Sequence, residues 1–297
     1  MNDPAGPAGP GAPLLDRNAI RRYAERASAG YDSAAVLARE LRNSMLKRLD
    51  YVAFTPAAIL DLGCGTGEGA VALAARWPGA RIVAVDLAPA MLDALAARDD
   101  AKGIERIRAE AESLPIPDMS LDLVFSNLML PWCEDIDAVF AEVARVLAPR
   151  GLFSFTTLGP DTLMELRAAW GAVDDSEHVH PFTDMHDLGD GLVRAGLAEP
   201  VLDVSRYTLT YPDADALMRD LKAIGAQNAA GSRPRGLTGR GRIAAMAAAY
   251  EPFRTQGALP STWEAVFGQA WGATPAQRAR RAGDEFAVPL ERIPRRR

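Results

Sequence analysis

Apolar residues recur at helical spacing between residues 20 and 49, through Val36, Leu37, Leu41, Met45, Leu46 and Leu49, with charges between them. That period predicts one long helix with an apolar stripe. The pattern then changes. Residues 58–62 form a short apolar run, a cluster of glycines follows, and residues 67–77 return to helical spacing before Pro78 and Gly79. These predict a buried strand, a tight turn and a helix. The alternation continues with strands over 81–87, 105–111, 121–128 and 151–158, and helices over 89–98 and 135–147. Pro89 suits the first turn of one helix, and Pro149 with Gly151 stops the other. Strands alternating with helices predict an α/β fold built on a doubly wound, mostly parallel sheet. Beyond residue 160 helices are predicted over 161–170, 185–195, 214–224 and 241–250, and strands over 200–211 and 262–271. The late strands predict that the C-terminal half completes the sheet and carries a helical lid insertion over 211–260.

Composition narrows this picture. The chain has 297 residues, 48% hydrophobic and 24% charged, the balance of a soluble globular protein. No run of eighteen apolar residues is present, so no membrane span is expected. Residues 1–14 are rich in Pro, Gly and Ala and are expected to form a disordered leader, without the basic and apolar regions of a secretory signal. One domain is expected over 15–274, and a basic mobile tail over 275–297. The net charge of −6 argues against a nucleic-acid binder. Cationic charge is nevertheless concentrated: residues 233–242 hold four arginines and no acid, and residues 278–297 hold seven arginines against three acids. The two cysteines, Cys64 and Cys133, fit reduced thiols of a cytoplasmic protein. The three histidines, His178, His180 and His186, lack the partners of a metal site, and no metal is expected.

The chemistry concentrates in one turn. Asp61, Gly63, Gly65 and Gly67 form a DxGxGxG loop between a predicted strand and a predicted helix. Glycines there let the backbone turn sharply and approach a ligand. Asp86 ends the next strand, where a carboxylate can accept both hydroxyls of a ribose. A nicotinamide dinucleotide and S-adenosylmethionine both carry that ribose. The acid at Asp61 separates them, since it suits a cationic sulfonium and ammonium and repels a pyrophosphate. A structural turn and a surface acid are the competing accounts of the loop and of Asp86.

The segments ILDLGCGTG (59–67), VDLAPAML (85–92), AEAESLPIPDMSLDLVFSN (109–127) and EVARVLAPRGLFSFTT (142–157) resemble the class I S-adenosylmethionine-dependent methyltransferases, a Rossmann-like family. The resemblance implies that Gly63, Gly65 and Gly67 line the methionine part, with Asp61 near the ammonium. It implies that Asp86 holds the ribose, and that Leu87 or Met91 packs on the adenine. Glu110, where many relatives carry Asp, and the Ala111 backbone would face the adenine edge. Asn127 and Leu128 would sit beside the methyl donor. Plain core packing competes at Met91 and Leu128. The implied cofactor half is 50–158, with substrate and lid elements at 15–49 and 159–274.

Further segments resemble the malonyl-[acyl-carrier protein] O-methyltransferases of biotin synthesis: residues 21–51, 130–147, 153–170 and LKAIGAQNAAGSRPRGLTGR (221–240). That family caps the free carboxylate of a malonyl thioester as a methyl ester. The resemblance implies malonyl-acyl carrier protein, or malonyl-CoA, as partner. A carboxylate acceptor is ionised at neutral pH and needs no base, in keeping with a sequence that offers no catalytic triad. An acidic carrier needs a basic docking surface, for which Arg233, Arg235, Arg240 and Arg242 are candidates against a solvated basic loop. Tyr31 is the candidate that grips the acceptor carboxylate, and Tyr23 a second; packing is the alternative for both. Residues 178–197 and the region 260–271 also resemble a mitochondrial assembly factor of methyltransferase fold that hydroxylates arginine. Residues 21–51 match the biotin family better, and residues 1–15 lack an arginine-rich presequence. A non-catalytic cofactor-binding interaction protein is the third alternative.

Overall fold

A computed structural model of the chain describes residues 15–233, 236, 238–274 and 277. The expected leader, the expected tail apart from Gln277, and Arg235 lie outside these described residues.

Among the described residues seven strands form one sheet: β1 (Ala58–Leu62), β2 (Arg81–Asp86), β3 (Glu105–Arg108), β4 (Leu121–Asn127), β5 (Leu147–Leu158), β6 (Ala198–Tyr211) and β7 (Leu259–Trp271). Their order is β3-β2-β1-β4-β5-β7-β6. The first five pair in parallel, and β7 runs antiparallel to both β5 and β6. Ile59, Leu60 and Leu62 of β1 are fully or almost fully buried, as an apolar run between two helical layers requires. β1 lies between β2 and β4, so the chain reverses its direction of travel across the sheet at this point. Open α/β sheets bind ligands in the crevice beyond the strand ends at such a switch.

The helices are α1 (Arg17–Ala27), α2 (Tyr31–Ala34), α3 (Val36–Arg48), α4 (Glu68–Arg76), α5 (Pro89–Ala96), α6 (Ile136–Val146), α7 (Met164–Gly171), α8 (Met185–Ala195), α9 (Ala214–Ala223) and α10 (Arg240–Tyr250). Polar caps set several starts. Asp16, Asp135 and Asp213 accept from the backbone N–H three residues on, at 2.9, 2.9 and 2.7 Å. Two apolar layers flank the sheet, one built on Phe125, Leu41 and Tyr250, the other on Phe140, Phe153 and Phe155.

The sheet is the doubly wound, Rossmann-like one expected, completed by two C-terminal strands with α9 and α10 inserted between them. The N-terminal helix differs from expectation. Instead of one element over 20–49, the chain breaks at Ser28–Gly30 and again at Ala35. The side-chain period runs through the break, but glycine raises the cost of helix there. The break turns Tyr31 toward the sheet and lets Asp32 accept from Thr66 Oγ1 and pair with Arg98 at 3.1 Å. Among the described residues no helix is long and apolar enough to cross a membrane.

Candidate active site

A cavity opens beyond the C-terminal ends of β1, β2 and β4, where the switch of topology places it. Its floor is the β1–α4 loop. Gly63 and Gly67 hold φ of +75° and +87°, a left-handed conformation that disfavours side chains. A Cβ at Gly63 would overlap Met129, and one at Gly67 would overlap Leu95. Gly63 and Gly65 line the cavity, together with Asp86, Leu87, Met91 and Ala111. Gly67 departs from its expected role: it turns onto Leu95 of α5 and closes the loop without facing the ligand space.

Asp86 anchors this floor. Its Oδ2 accepts from the Gly65 N–H at 2.9 Å and its Oδ1 from the Ala88 N–H at 2.8 Å. Burial raises its pKa, and backbone N–H groups of Ala88, Gly65 and Leu87 oppose the rise. The carboxylate therefore holds the loop while facing the cavity. Glu110 also lines it, but its carboxylate pairs with Arg17 at 2.6 Å. Arg17 reaches Glu112 and Glu134 as well, both at 3.3 Å, so this end is clamped by α1.

Asp61 lies in a second, smaller recess that shares Tyr31, Gly63, Gly65 and Asn127 with the cavity. It is 3% exposed and its pKa is pushed up to about 7, chiefly by burial. Its Oδ2 has no hydrogen-bond partner among the described residues. Gly69 makes room for it, since a Cβ there would stand 2.7 Å from that oxygen. Arg42 of α3 lines the same recess and pairs with Glu68, and its Nε finds no partner among the described residues. Sequence reasoning missed Arg42, which reads there as one more charge on the helix surface. A recess with an orphaned carboxylate oxygen and an orphaned guanidinium N–H fits the ammonium and carboxylate of an amino-acid tail.

Asn127 braces the wall between them. Its Nδ2 donates to the Ala38 carbonyl at 2.9 Å, and its Oδ1 accepts from Thr156 Oγ1 at 2.7 Å. The next residue, Leu128, holds a left-handed φ of +58° and lines the cavity. Tyr31 lines both spaces. Burial, then Asp86, Asp32 and Glu68, push its phenol up to about 12, so at neutral pH it stays protonated and is able to donate a hydrogen bond. Tyr23 does not join it: it lines a separate larger cavity whose walls include Trp132, shared with the first.

The roof is assembled from α1 and the chain after α9. Ile20 and Ala24 of α1 face Ile224 and Gly225 across the cavity. The Asp16 N–H donates to the Ala229 carbonyl at 2.8 Å, and Arg233 pairs with Asp16 at 2.7 Å. Arg233 is thus a latch of the roof, mostly shielded from solvent, where the sequence reading placed it on a docking surface. Arg242 pairs with Asp174 at 2.9 Å while half exposed, and Arg240 is exposed at the start of α10. Cys64 and Cys133 are both free thiols.

A family profile described as a methyltransferase domain matches residues 60–155, the floor and walls of this site. The chain is 49% identical over 265 residues to a malonyl-[acyl-carrier protein] O-methyltransferase of Methylovorus sp. (strain MP688), covering 87% of this chain and 90% of that one. It is 49% identical over 281 residues to the protein of the same name from Laribacter hongkongensis (strain HLHK9), covering 91% and 93%. Among solved structures, the YcgJ protein from Bacillus subtilis superposes with a TM-score of 0.55 at 17% identity, over 78% of this chain and 99% of that one. At that identity the likeness speaks for the fold alone.

Proposed function

The chain belongs to the malonyl-[acyl-carrier protein] O-methyltransferase family, and from that membership and the site we propose that it methylates the free carboxylate of a malonyl thioester. It is an enzyme, a carboxyl O-methyltransferase, and S-adenosylmethionine is its methyl donor. The observation that carries the reading is the acid-tipped glycine loop beside a recess that pairs the orphaned Asp61 Oδ2 with the orphaned Arg42 Nε. Such a site suits a cationic, phosphate-free amino-acid nucleoside.

When bound, S-adenosylmethionine supplies a methyl carbon on a sulfonium, onto which a carboxylate oxygen forms a C–O bond as the C–S bond breaks and its electron pair returns to sulfur. The chain's own residues position the reactants. Asp61 and Arg42 would hold the amino-acid tail, Asp86 the ribose, and Leu87 with Met91 the adenine face. Asn127 and Leu128 form the wall nearest both spaces. Tyr31, held neutral, donates a hydrogen bond toward the acceptor carboxylate without having to take a proton. No proton needs moving, because a carboxyl group with pKa about 4 is already ionised at neutral pH. Alignment of oxygen and carbon is then the main catalytic task, and orientation alone supplies much of such a barrier. The arginine-hydroxylase and non-catalytic alternatives are not favoured by relatives that bear an O-methyltransferase name over most of their length. Arg240 and Arg242 on α10 are proposed to meet the acidic surface of the carrier protein.

Complementation tests the biological reading. Expression in a biotin-requiring bacterial strain that lacks its own methyltransferase is expected to restore growth without biotin. Continued dependence on biotin, with soluble protein present, would contradict it.

A further inference from the structure

Beside the cofactor cavity lies a second one of about 570 Å³. Its walls are aromatic, with Trp132, Trp170, Phe182 and Trp263 among them, and Trp132 belongs to both cavities. Two nitrogens of these wall residues are buried without a hydrogen-bond partner among the described residues: Nε1 of Trp263, a residue 4% exposed, and Nε2 of His180, a residue 7% exposed. Buried polar atoms left unpaired in a cavity wall point to a ligand that pairs them.

The two atoms differ in sense. The Trp263 indole nitrogen can only donate. The strand that carries it is anchored next door, where Thr262 donates to Glu165 through its N–H at 3.0 Å and its hydroxyl at 2.5 Å. The His180 ring donates to the Pro131 carbonyl. Because Nε2 is without a partner, the donating nitrogen is Nδ1. In the neutral imidazole Nε2 is then an acceptor. Burial lowers the basicity of this ring, which favours its neutral form. The ring lies 5.6 Å from that of Trp132 and 4.9 Å from that of Phe182, which fixes its plane. A cavity with aromatic walls whose unpaired buried atoms are one donor and one acceptor matches a chain of secondary amides, each with a carbonyl and an N–H. Arg219 and Lys222 of α9, both exposed, stand among the lining residues and suit a phosphate at the far end of that chain.

We propose that this second cavity receives the phosphopantetheine arm of the acceptor thioester, with Trp263 Nε1–H donating to an amide carbonyl and His180 Nε2 accepting from an amide N–H. The inference rests on the function proposed above and adds two positioning residues to it. Trp132, common to both cavities, marks where the arm delivers its terminal carboxylate.

Binding of phosphopantetheine without any malonyl group isolates the arm from the reaction. Calorimetry is expected to detect it with the native chain and to show about tenfold weaker binding to His180→Phe and Trp263→Phe, the worth of one hydrogen bond. His180→Asn, whose side-chain carbonyl can accept in place of Nε2, is expected to recover most of the loss. Binding of S-adenosylhomocysteine to each variant should stay unchanged, which separates lost contacts from lost fold. In turnover, the two Phe variants should raise KM for malonyl-CoA while leaving kcat/KM for the malonyl thioester of ethanethiol, which has no amide, unaltered. Equal losses with both acceptors, or no loss with either, would overturn the assignment. If the native chain methylates neither acceptor, the proposed function fails instead, and phosphopantetheine binding still decides the cavity.

Discussion

Asp61 carries a desolvation penalty when ionised, which a proton or a neighbouring cation would relieve. Its pKa of about 7 stands above the usual 3.8 because burial disfavours the charged form. A folded carboxyl that binds its proton more tightly than the unfolded one makes the folded state lose stability as pH rises between the two values. The loss from this group is at most about 4 kcal/mol, reached near pH 7. Asp61→Asn should therefore melt at a higher temperature than the native chain at pH 8 without cofactor, with little difference near pH 4, measured by calorimetry. Cofactor affinity should show the opposite sign. An ammonium held against Asp61, as proposed, would favour the ionised carboxylate, so S-adenosylmethionine should bind more tightly as pH rises from 5.5 to 7.5, and the Asn variant should lose that slope. A native affinity flat over this range would place the ammonium elsewhere. At this scale the sequence announced Asp61 and Asp86 through the spacing of acids and glycines around two strand ends. Arg42 was not announced, because a helix-surface arginine looks the same whether or not it faces a recess. Nor did the sequence separate Gly67 from Gly63 and Gly65, since the three share one motif and only packing against Leu95 sets Gly67 apart.

Elements position these groups, and two joints are critical. The first is the turn between β1 and α4. Gly67 is left-handed and has no space for a Cβ, so Gly67→Ala should destabilise the fold by about 1–3 kcal/mol. Unchanged stability in denaturant melts would mean the loop relaxes freely. The second joint is the roof, where Asp16 caps α1 and also pairs with Arg233. Removing the guanidinium should loosen α1 while leaving the cap, so Arg233→Ala should speed release of S-adenosylhomocysteine severalfold in stopped-flow experiments. Combined with Asp16→Asn it should add little, because both changes break one contact. Independent additive effects would refute the latch. The strands of the cofactor half were legible from their apolar runs, and α4 to α6 from their period and their Pro and Gly stops. The break at Gly30 was not legible, because alanines and arginines on either side keep helical spacing and the pull of Tyr31 and Asp32 toward the sheet is a tertiary effect.

Across the whole molecule, alternation of period gave the doubly wound order, and the order places a crevice beyond β1 and β4. The C-terminal strands were legible as strands, but not that β7 would enter between β5 and β6, since partner choice depends on contacts far apart in sequence. The second cavity was illegible for the same reason: Trp132, His180 and Trp263 meet only after the sheet is complete. Transfer of a methyl group onto a malonyl carboxylate in the covered cleft, as proposed, is open to one direct measurement. Purified protein incubated with malonyl-acyl carrier protein and S-adenosylmethionine should give, by intact mass spectrometry, a carrier heavier by one methylene that an esterase restores to its starting mass. Consumption of the cofactor with no change in the carrier, or a mass gain on the carrier that an esterase does not remove, would contradict the account.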